Sequence, residues 1–333
     1  MGDVAMTVPV LSALCEQYPN IKVTVLTRAF FKPMFSQLTR VEVYEADVMG
    51  RHKGVRGLWK LYRELKGLKI EVVADLHNVL RSTILKKFFV LGGFPVVQIN
   101  KGRAEKKALT ASKHKIFNPL KTTHQRYADV FAQLGSSLDL TAVRLLSKEP
   151  LSEKILEVVG SDTRKWIGIA PFAAFKGKMY PFDLMKKVVE TLNTSEKYSL
   201  LLFGGGIQEQ NQLETWEKQF PQCVSIAGKL SFVEELALIS NLDLMVSMDS
   251  GNGHLAAMYG IQVISLWGVT HPYAGFYPFR QDIDNALLSD RTKYPLIPTS
   301  IYGNKIPHAY ENVMATIRPD EVVIKIERAL SKK

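Results

Sequence analysis

Residues 242–266, LDLMVSMDSGNGHLAAMYGIQVISL, are the segment of the chain richest in chemistry. A hydrophobic run ends at Met248, and Asp249-Ser250-Gly251 then turns into a helical stretch that carries His254. Unpaired N–H groups at such a helix start, with the helix dipole behind them, hold phosphate. Gly251 lets a ligand approach the backbone closely. An ordinary Asp or Ser cap before a core helix has the same spelling, and spacing alone does not separate the two. Phe203-Gly204-Gly205-Gly206 offers bare backbone to a sugar or base, with Glu209 three residues on as an acceptor for ribose hydroxyls. A plain glycine turn is the other reading, and the run does not match GxGxxG. Within residues 171–181, PFAAFKGKMYP, Lys176 and Lys178 suit a diphosphate or a solvated lysine pair. Met1-Gly2-Asp3 opens the chain before an apolar, helix-like run, and an acid in that place is most simply a helix cap. Asp282-Ile283-Asp284 is a DxD pair in a polar stretch, where solvated acids are expected rather than a metal site. GxSxG, P-loop and HExxH motifs are absent.

These residues need elements to hold them. Short apolar, β-branched runs at residues 21–26, 41–44, 71–76 and 94–99 alternate with amphipathic stretches at 55–66 and 81–90. Runs at 166–170, 199–203, 224–226, 242–248 and 262–266 alternate with helical stretches at 182–192, 208–218, 232–240 and 253–258. Such alternation predicts α/β architecture, with two doubly wound, Rossmann-like domains and ligands at the carboxyl ends of the strands. Turn residues Ser161-Asp162-Thr163 place the division at 1–160 and 161–333. Residues 282–307 hold Pro295, Pro298, Gly303 and Pro307 and read as a surface excursion. A last helix is expected over 319–330, opening on Pro319, Asp320 and Glu321.

Composition narrows the class. With 333 residues, 46% hydrophobic and 23% charged, the chain can bury two ordinary cores, which excludes wholesale disorder. No window approaches the roughly 18 apolar residues of a membrane-spanning helix. The opening residues lack a basic n-region and carry Asp3, which argues against a signal peptide. Two cysteines, Cys15 and Cys223, suit a reducing cytoplasm rather than a disulfide framework. The net charge of +11 is lopsided: residues 51–126 hold 18 basic and 4 acidic side chains. Such a stretch predicts an anionic partner, whether nucleic acid, a membrane surface or a phosphorylated substrate, unless it is simply a solvated basic surface.

Four blocks together resemble the glycosyltransferase family 9 heptosyltransferases, which build the inner core of lipopolysaccharide. MGDVAMTVPVL is similar to the family's GD-containing first loop and helix. VVADLHNVLRS resembles its DLQGxxRS segment, and GKMYP its TKRWP loop. AGKLSFVEELALISNLDLMVSMDSGNGHLAAMYG follows its AGxxSLxELAAL…DTGxxHLAAALG block almost position by position. The resemblance implies a GT-B fold: an acceptor domain, then a nucleotide-sugar domain whose last helix packs back toward the first. It implies inverting transfer from ADP-heptose to a phosphorylated, lipid-linked saccharide, with no cofactor and no divalent metal. Asp3 matches the general base. Lys178 matches the lysine on the donor phosphate, and Asp249, Ser250, Gly251 and His254 match the diphosphate loop. Glu209 stands where the ribose-contacting acid is expected and Leu230 beside the adenine. Arg81, His77 and Asn78 are the acceptor-side candidates, and the resemblance implies a cytoplasmic enzyme peripheral to the inner membrane.

Some positions depart from the pattern. Ala173 and Ala174 stand where some members place hydroxyl residues, and His77 and Asn78 replace Gln-Gly, which opens the acceptor's identity. Family members have a strand of about ten residues before the GD; here only Met1 precedes it, so an upstream apolar strand is expected and the first domain's first strand is expected to be missing. Two other readings stay in view. One is transfer of another sugar, such as a hexose, to surface polysaccharide. The other is a non-catalytic basic protein on anionic membrane or nucleic acid. Nucleic acid is disfavoured, because aromatics in the basic stretch fall mostly at core-like spacing.

Overall fold

The computed structural model describes residues 1–160 and 163–331. In chain order it begins with helices α1 (Gly2–Ala5) and α2 (Thr7–Gln17), strands β1 (Val23–Thr27) and β2 (Val41–Glu45), and helix α3 (Gly54–Lys66). Next come β3 (Val73–Asp75), α4 (Leu80–Leu91), β4 (Val96–Gln98), α5 (Arg103–Leu109) and α6 (Thr123–Gln133). After α7 (Glu153–Val159) follow β5 (Lys165–Ala170), α8 (Phe182–Thr194), β6 (Tyr198–Leu202), α9 (Ile207–Gln219), β7 (Cys223–Ser225) and α10 (Phe232–Ser240). The chain closes with β8 (Leu244–Met248), α11 (Gly251–Met258), β9 (Gln262–Trp267), β10 (Ala286–Leu288) and α12 (Pro319–Ser331).

Two compact units result. Met1, Asp3–Arg103 and Lys121–Leu145 make the first; Gly2, Ala104–Leu120 and the chain from Leu146 onward make the second. The units therefore part before the expected division at 160/161, and the Ser161-Asp162 turn that suggested it lies outside the described residues. The reason is hydrogen bonding: Leu146 N–H donates to Met258 O and Glu149 N–H to Ser240 Oγ. Ala104–Leu120 joins the second unit on similar grounds. Leu120 N–H donates to Tyr273 O, Lys115 Nζ to Pro298 O at 2.8 Å, and the Arg291 guanidinium lies 3.4 Å from the Phe117 ring centre. The chain leaves the first unit at Arg103 and returns at Lys121. Buried Arg126 holds both crossing points, donating to Asn100 O and Lys121 O at 3.2 Å each.

The second unit has one parallel six-stranded sheet, ordered β10-β9-β8-β5-β6-β7. Its central strands are continuous apolar runs because helices cover both faces: β6 (YSLLL) and β8 (LMVSM) are buried throughout. Read from β7, the order is the doubly wound 3-2-1-4-5-6, with its switch point between β5 and β8. Helix α12 buries Val322, Ile326 and Leu330 in this unit's core and packs on α8. Its residues belong to the second unit, in whose core this face is buried. Strand β10, inside the supposed surface excursion, pairs with β9 in the register Ala286↔Ser265.

The first unit keeps parallel pairing but not one continuous sheet. Strand β1 pairs with β2, and β3 with β4, as separate two-stranded ladders. The opening residues supply no strand. They form α1 and α2, and α2 is buried from Val8 to Leu14, as a helix apolar all round must be. Helices α3 and α4 share a cluster of Leu58, Leu61, Tyr62, Leu65, Leu85 and Phe89.

Candidate functional site

In the second unit, the carboxyl ends of β5 and β8 flank the switch point, and the loops that leave them carry the donor-side candidates. After β5 the chain makes a 3-10 turn, Lys176–Lys178. A Cβ on Gly177 would lie 2.6 Å from Gly303 O and from Val269 Cγ2, so only glycine lets these loops close together. Gly177 O accepts from Val269 N–H at 2.9 Å. Tyr180 pins the far end, its hydroxyl donating to Ile317 O at 2.7 Å. Lys178 is thereby aimed at Asp249: Nζ lies 2.9 Å from Oδ2, with side chains only 16% and 6% exposed. The aliphatic stem of Lys178 runs over Gly303, where an added Cβ would come within 2.3 Å of Cγ and 2.5 Å of Cδ. Gly303 has φ +81°, a conformation glycine adopts without a Cβ penalty.

After β8, Asp249 N–H donates to Leu266 O, and Ser250 takes an extended conformation (φ −145°, ψ 177°) before α11. Ser250 gives α11 no side-chain cap, and its buried Oγ has no hydrogen-bond partner among the described residues. A helix start without a cap, beside an unpartnered hydroxyl, is set up to receive an anion's oxygens. Gly251 opens the helix, and Gly253 seats it on the strand, since a Cβ there would lie 2.7 Å from Ser247 Oγ. His254 is 8% exposed and lines a narrow recess with Asp249, Ser250, Trp267 and Phe276.

Glu209 lies in the first turn of α9 and accepts from Gly205 N–H at 2.7 Å. It stabilises the glycine turn, and a carboxylate with about four acceptor positions can take a ribose hydroxyl as well. Leu230 is 8% exposed and follows Gly228 (φ +73°) in the turn before α10. That helix opens on a capping box of Ser231 and Glu234. Asp282 caps its own short turn, accepting from Asp284 N–H at 3.0 Å. Among the described residues no group of three or more His, Cys, Asp or Glu side chains is arranged to hold a metal ion.

The first unit gathers the acceptor-side candidates at the carboxyl ends of β3 and β4. Buried Asp75 organises this rim, accepting from His77 N–H at 3.0 Å, Asn78 N–H at 2.8 Å and Gln98 Nε2 at 2.6 Å. Asn78 sits at φ +44°, which Asn tolerates better than most residues, and its side chain donates to Ile99 O. Arg81 is exposed in the first turn of α4. Asp3 is exposed in α1, and Tyr127 Oη donates to its backbone carbonyl. His77 and Lys101 lie within the electrostatic reach of its carboxylate. Crowding by protein atoms lowers both groups below their ordinary values although His77 keeps an exposed edge, and Asp3 partly offsets each shift. Burial, then Asp3, pushes the Tyr127 phenol far up, so it stays a neutral donor.

The structure thus brings Lys178, Asp249, Ser250, Gly251 and His254 to the carboxyl ends of β5 and β8 in the six-stranded sheet, with Glu209 in the first turn of α9 and Leu230 in the turn before α10. It sets Asp3, His77, Asn78 and Arg81 in the first unit. Sequence reasoning missed Gly303, Gly253, Asp75 and Lys101. Asp75 had a signal, being a lone acid at the end of an apolar run; the glycines had none.

The family model of glycosyltransferase family 9 (heptosyltransferase) matches residues 58–296. The lipooligosaccharide heptosyltransferase 2 of Haemophilus influenzae is 28% identical over 298 residues, covering 82% of each chain. Among solved structures, the family 9 glycosyltransferase of Veillonella parvula has a TM-score of 0.75 at 19% identity, covering 100% of this chain and 95% of that one. The ADP-heptose lipopolysaccharide heptosyltransferase II of Escherichia coli has a TM-score of 0.68 at 19% identity, covering 98% and 95%.

Proposed function

Because the chain belongs to glycosyltransferase family 9, we propose that it moves a heptose from ADP-heptose to a phosphorylated inner-core saccharide of lipopolysaccharide, inverting the anomeric carbon. The observation that carries this reading is the Lys178–Asp249 pair beside the uncapped start of α11, at the sheet's switch point. Breaking the bond between anomeric carbon and diphosphate puts new negative charge on a phosphate oxygen. A fixed lysine and free helix N–H groups meet that charge without reorganising. Asp249 holds Lys178 Nζ in place, and Ser250 Oγ and His254 stand at the same helix start. Glu209 takes a ribose hydroxyl, and Leu230 packs on the adenine.

Asp3 removes the proton as the acceptor hydroxyl attacks, and the new carbon–oxygen bond forms opposite the leaving diphosphate, which inverts the centre. His77, Asn78 and Arg81 orient the anionic acceptor. The donor and a lipid-linked acceptor are the partners, with no nucleic acid and no cofactor, and the enzyme works at the cytoplasmic face of the inner membrane, peripheral to it. A donor panel tests this: ADP-heptose should be consumed in the presence of delipidated inner-core saccharide, while ADP-glucose and UDP-sugars are left. Turnover of a hexose donor alone would replace the heptose reading with transfer of another sugar.

A further inference from the structure

Helix α3 carries Arg56, Lys60, Arg63 and Lys66 on its exposed side. Its one acid, Glu64, is engaged by Tyr44 Oη at 2.6 Å, His52 Nε2 at 2.9 Å and Arg51 at 3.4 Å, so the positive field of this face is unopposed. Apolar groups stand beside the cations. Val55 and Trp59, one helical turn apart, are 60% and 48% exposed. The Trp59 ring lies 5.1 Å from that of Phe88, so α4 adjoins α3 along this edge. From there α4 turns Leu80, Lys87 and Leu91 outward, with Leu80 79% and Leu91 85% exposed. Leu58, Leu61, Tyr62, Leu65, Leu85 and Phe89 fill the space between the helices, and Trp59 leans on this cluster through the Tyr62 ring at 5.2 Å while about half of it stays exposed.

We propose that the α3–α4 face of the first unit is a docking surface for a bilayer rich in anionic phospholipid, with Trp59 seated among the headgroups. Helices with cations on one side and Trp and aliphatic groups on the next lie in the boundary between headgroups and acyl chains. Lys and Arg stems bury against the apolar stripe while their charged heads meet phosphate. A nucleic-acid backbone has phosphates for the cations but nothing for Val55, Leu80 and Leu91. The proposal deepens the transferase reading, since it supplies the means by which a lipid-linked acceptor is met.

The test uses the full chain with vesicles of phosphatidylcholine, alone or mixed with phosphatidylglycerol. Binding is expected to the mixed vesicles, to weaken with salt, and to be slight on phosphatidylcholine alone. Each cation near an anionic surface is worth roughly fivefold in binding, so Lys60→Glu with Arg63→Glu should weaken it by at least about 25-fold. Both side chains are exposed, and melting temperature and ADP binding should match the wild type. Trp216 and Trp267 are buried and Trp166 is half-buried, so bromine-labelled acyl chains should quench chiefly Trp59, and Trp59→Phe should remove the quenching. Equal vesicle binding by the charge-reversed variant, or no quenching of the wild type, overturns the proposal. So does a single-stranded oligonucleotide that displaces the vesicles and itself shields Trp59. A wild-type chain that binds the mixed vesicles but not ADP would instead sink the transferase reading and leave this surface standing.

Discussion

Replacing Gly303 with alanine should disable Lys178 without touching any charge. Alanine at φ +81° carries a backbone cost of roughly 1–2 kcal/mol for the left-handed conformation. The new Cβ would also stand 2.3 Å from Lys178 Cγ and 2.5 Å from Cδ, whereas carbon atoms rest at about 3.5–4.0 Å. The middle of the lysine stem must therefore move by about an ångström. Nζ then leaves the position 2.9 Å from Asp249 Oδ2. A displacement of about 1 Å in a positioning group costs on the order of 10²-fold in rate, and a lost charge-assisted hydrogen bond about 1.5–3 kcal/mol. Gly303→Ala should thus melt a few degrees lower, bind ADP roughly ten- to a hundredfold more weakly, and turn over about 10²-fold more slowly. The decisive comparison uses Lys178→Met as background. With the lysine gone, Gly303→Ala should keep its stability cost and lose its effect on ADP binding. If Gly303→Ala binds ADP like the wild type, or weakens binding equally with and without Lys178, then Gly303 does not place this lysine.

Three further outcomes are expected. Asp3→Asn keeps the shape and removes the base, so turnover should fall by about 10²–10⁴-fold while ADP affinity holds; near-normal turnover excludes the role. Gly251→Val puts a branched side chain at the start of α11, and calorimetry should show most ADP affinity gone with the fold intact; unchanged affinity moves the diphosphate elsewhere. Burial, and then Arg291, lower the His271 imidazole to about 4, and its Nδ1 accepts from Tyr273 N–H at 3.1 Å. The unfolded chain therefore binds a proton that the fold refuses, so stability from this residue is whole above about pH 6.5 and falls as pH drops toward 4, by at most about 1.4 kcal/mol per pH unit. His271→Gln should flatten that slope in denaturant melts, and an unaltered slope would assign the acid sensitivity to other groups.

Much of the second unit was legible because its strands are buried on both faces and spell continuous apolar runs. The helix expected over 232–240 spans Phe232–Ser240, and the other ends agree within a few residues. Strand order was not legible, since parallel pairing joins segments far apart in the chain and leaves no local mark. The meeting of Lys178 with Asp249 follows from that order and was readable only through family likeness. Gly303 escaped because a stretch rich in proline and glycine announces turns, not which lysine lies over one of them. The separate ladders of the first unit follow from the short runs 73–75 and 96–98, which alternate too briefly to say how many neighbours each has. The move of Ala104–Leu120 into the second unit was hidden for another reason: periodicity tells that a face is buried, not against what.

That insertion makes the second unit discontinuous, and discontinuity governs how such a protein can be cut and recombined. A fragment from Leu146 onward would lack the partner of Arg291 at Phe117 and the donor to Tyr273 O at Leu120, leaving a raw surface where Ala104–Leu120 had lain. A hybrid that takes its first unit from one relative and its second unit from another must exchange residues 104–120 together with the second unit. Its joints belong beside Arg103, Lys121 and Leu145, and Arg126, which grips both Asn100 and Lys121, must come from the same parent as those two. The two units are therefore separable by inheritance only in three-joint exchanges, and single crossovers should yield chains that fold poorly.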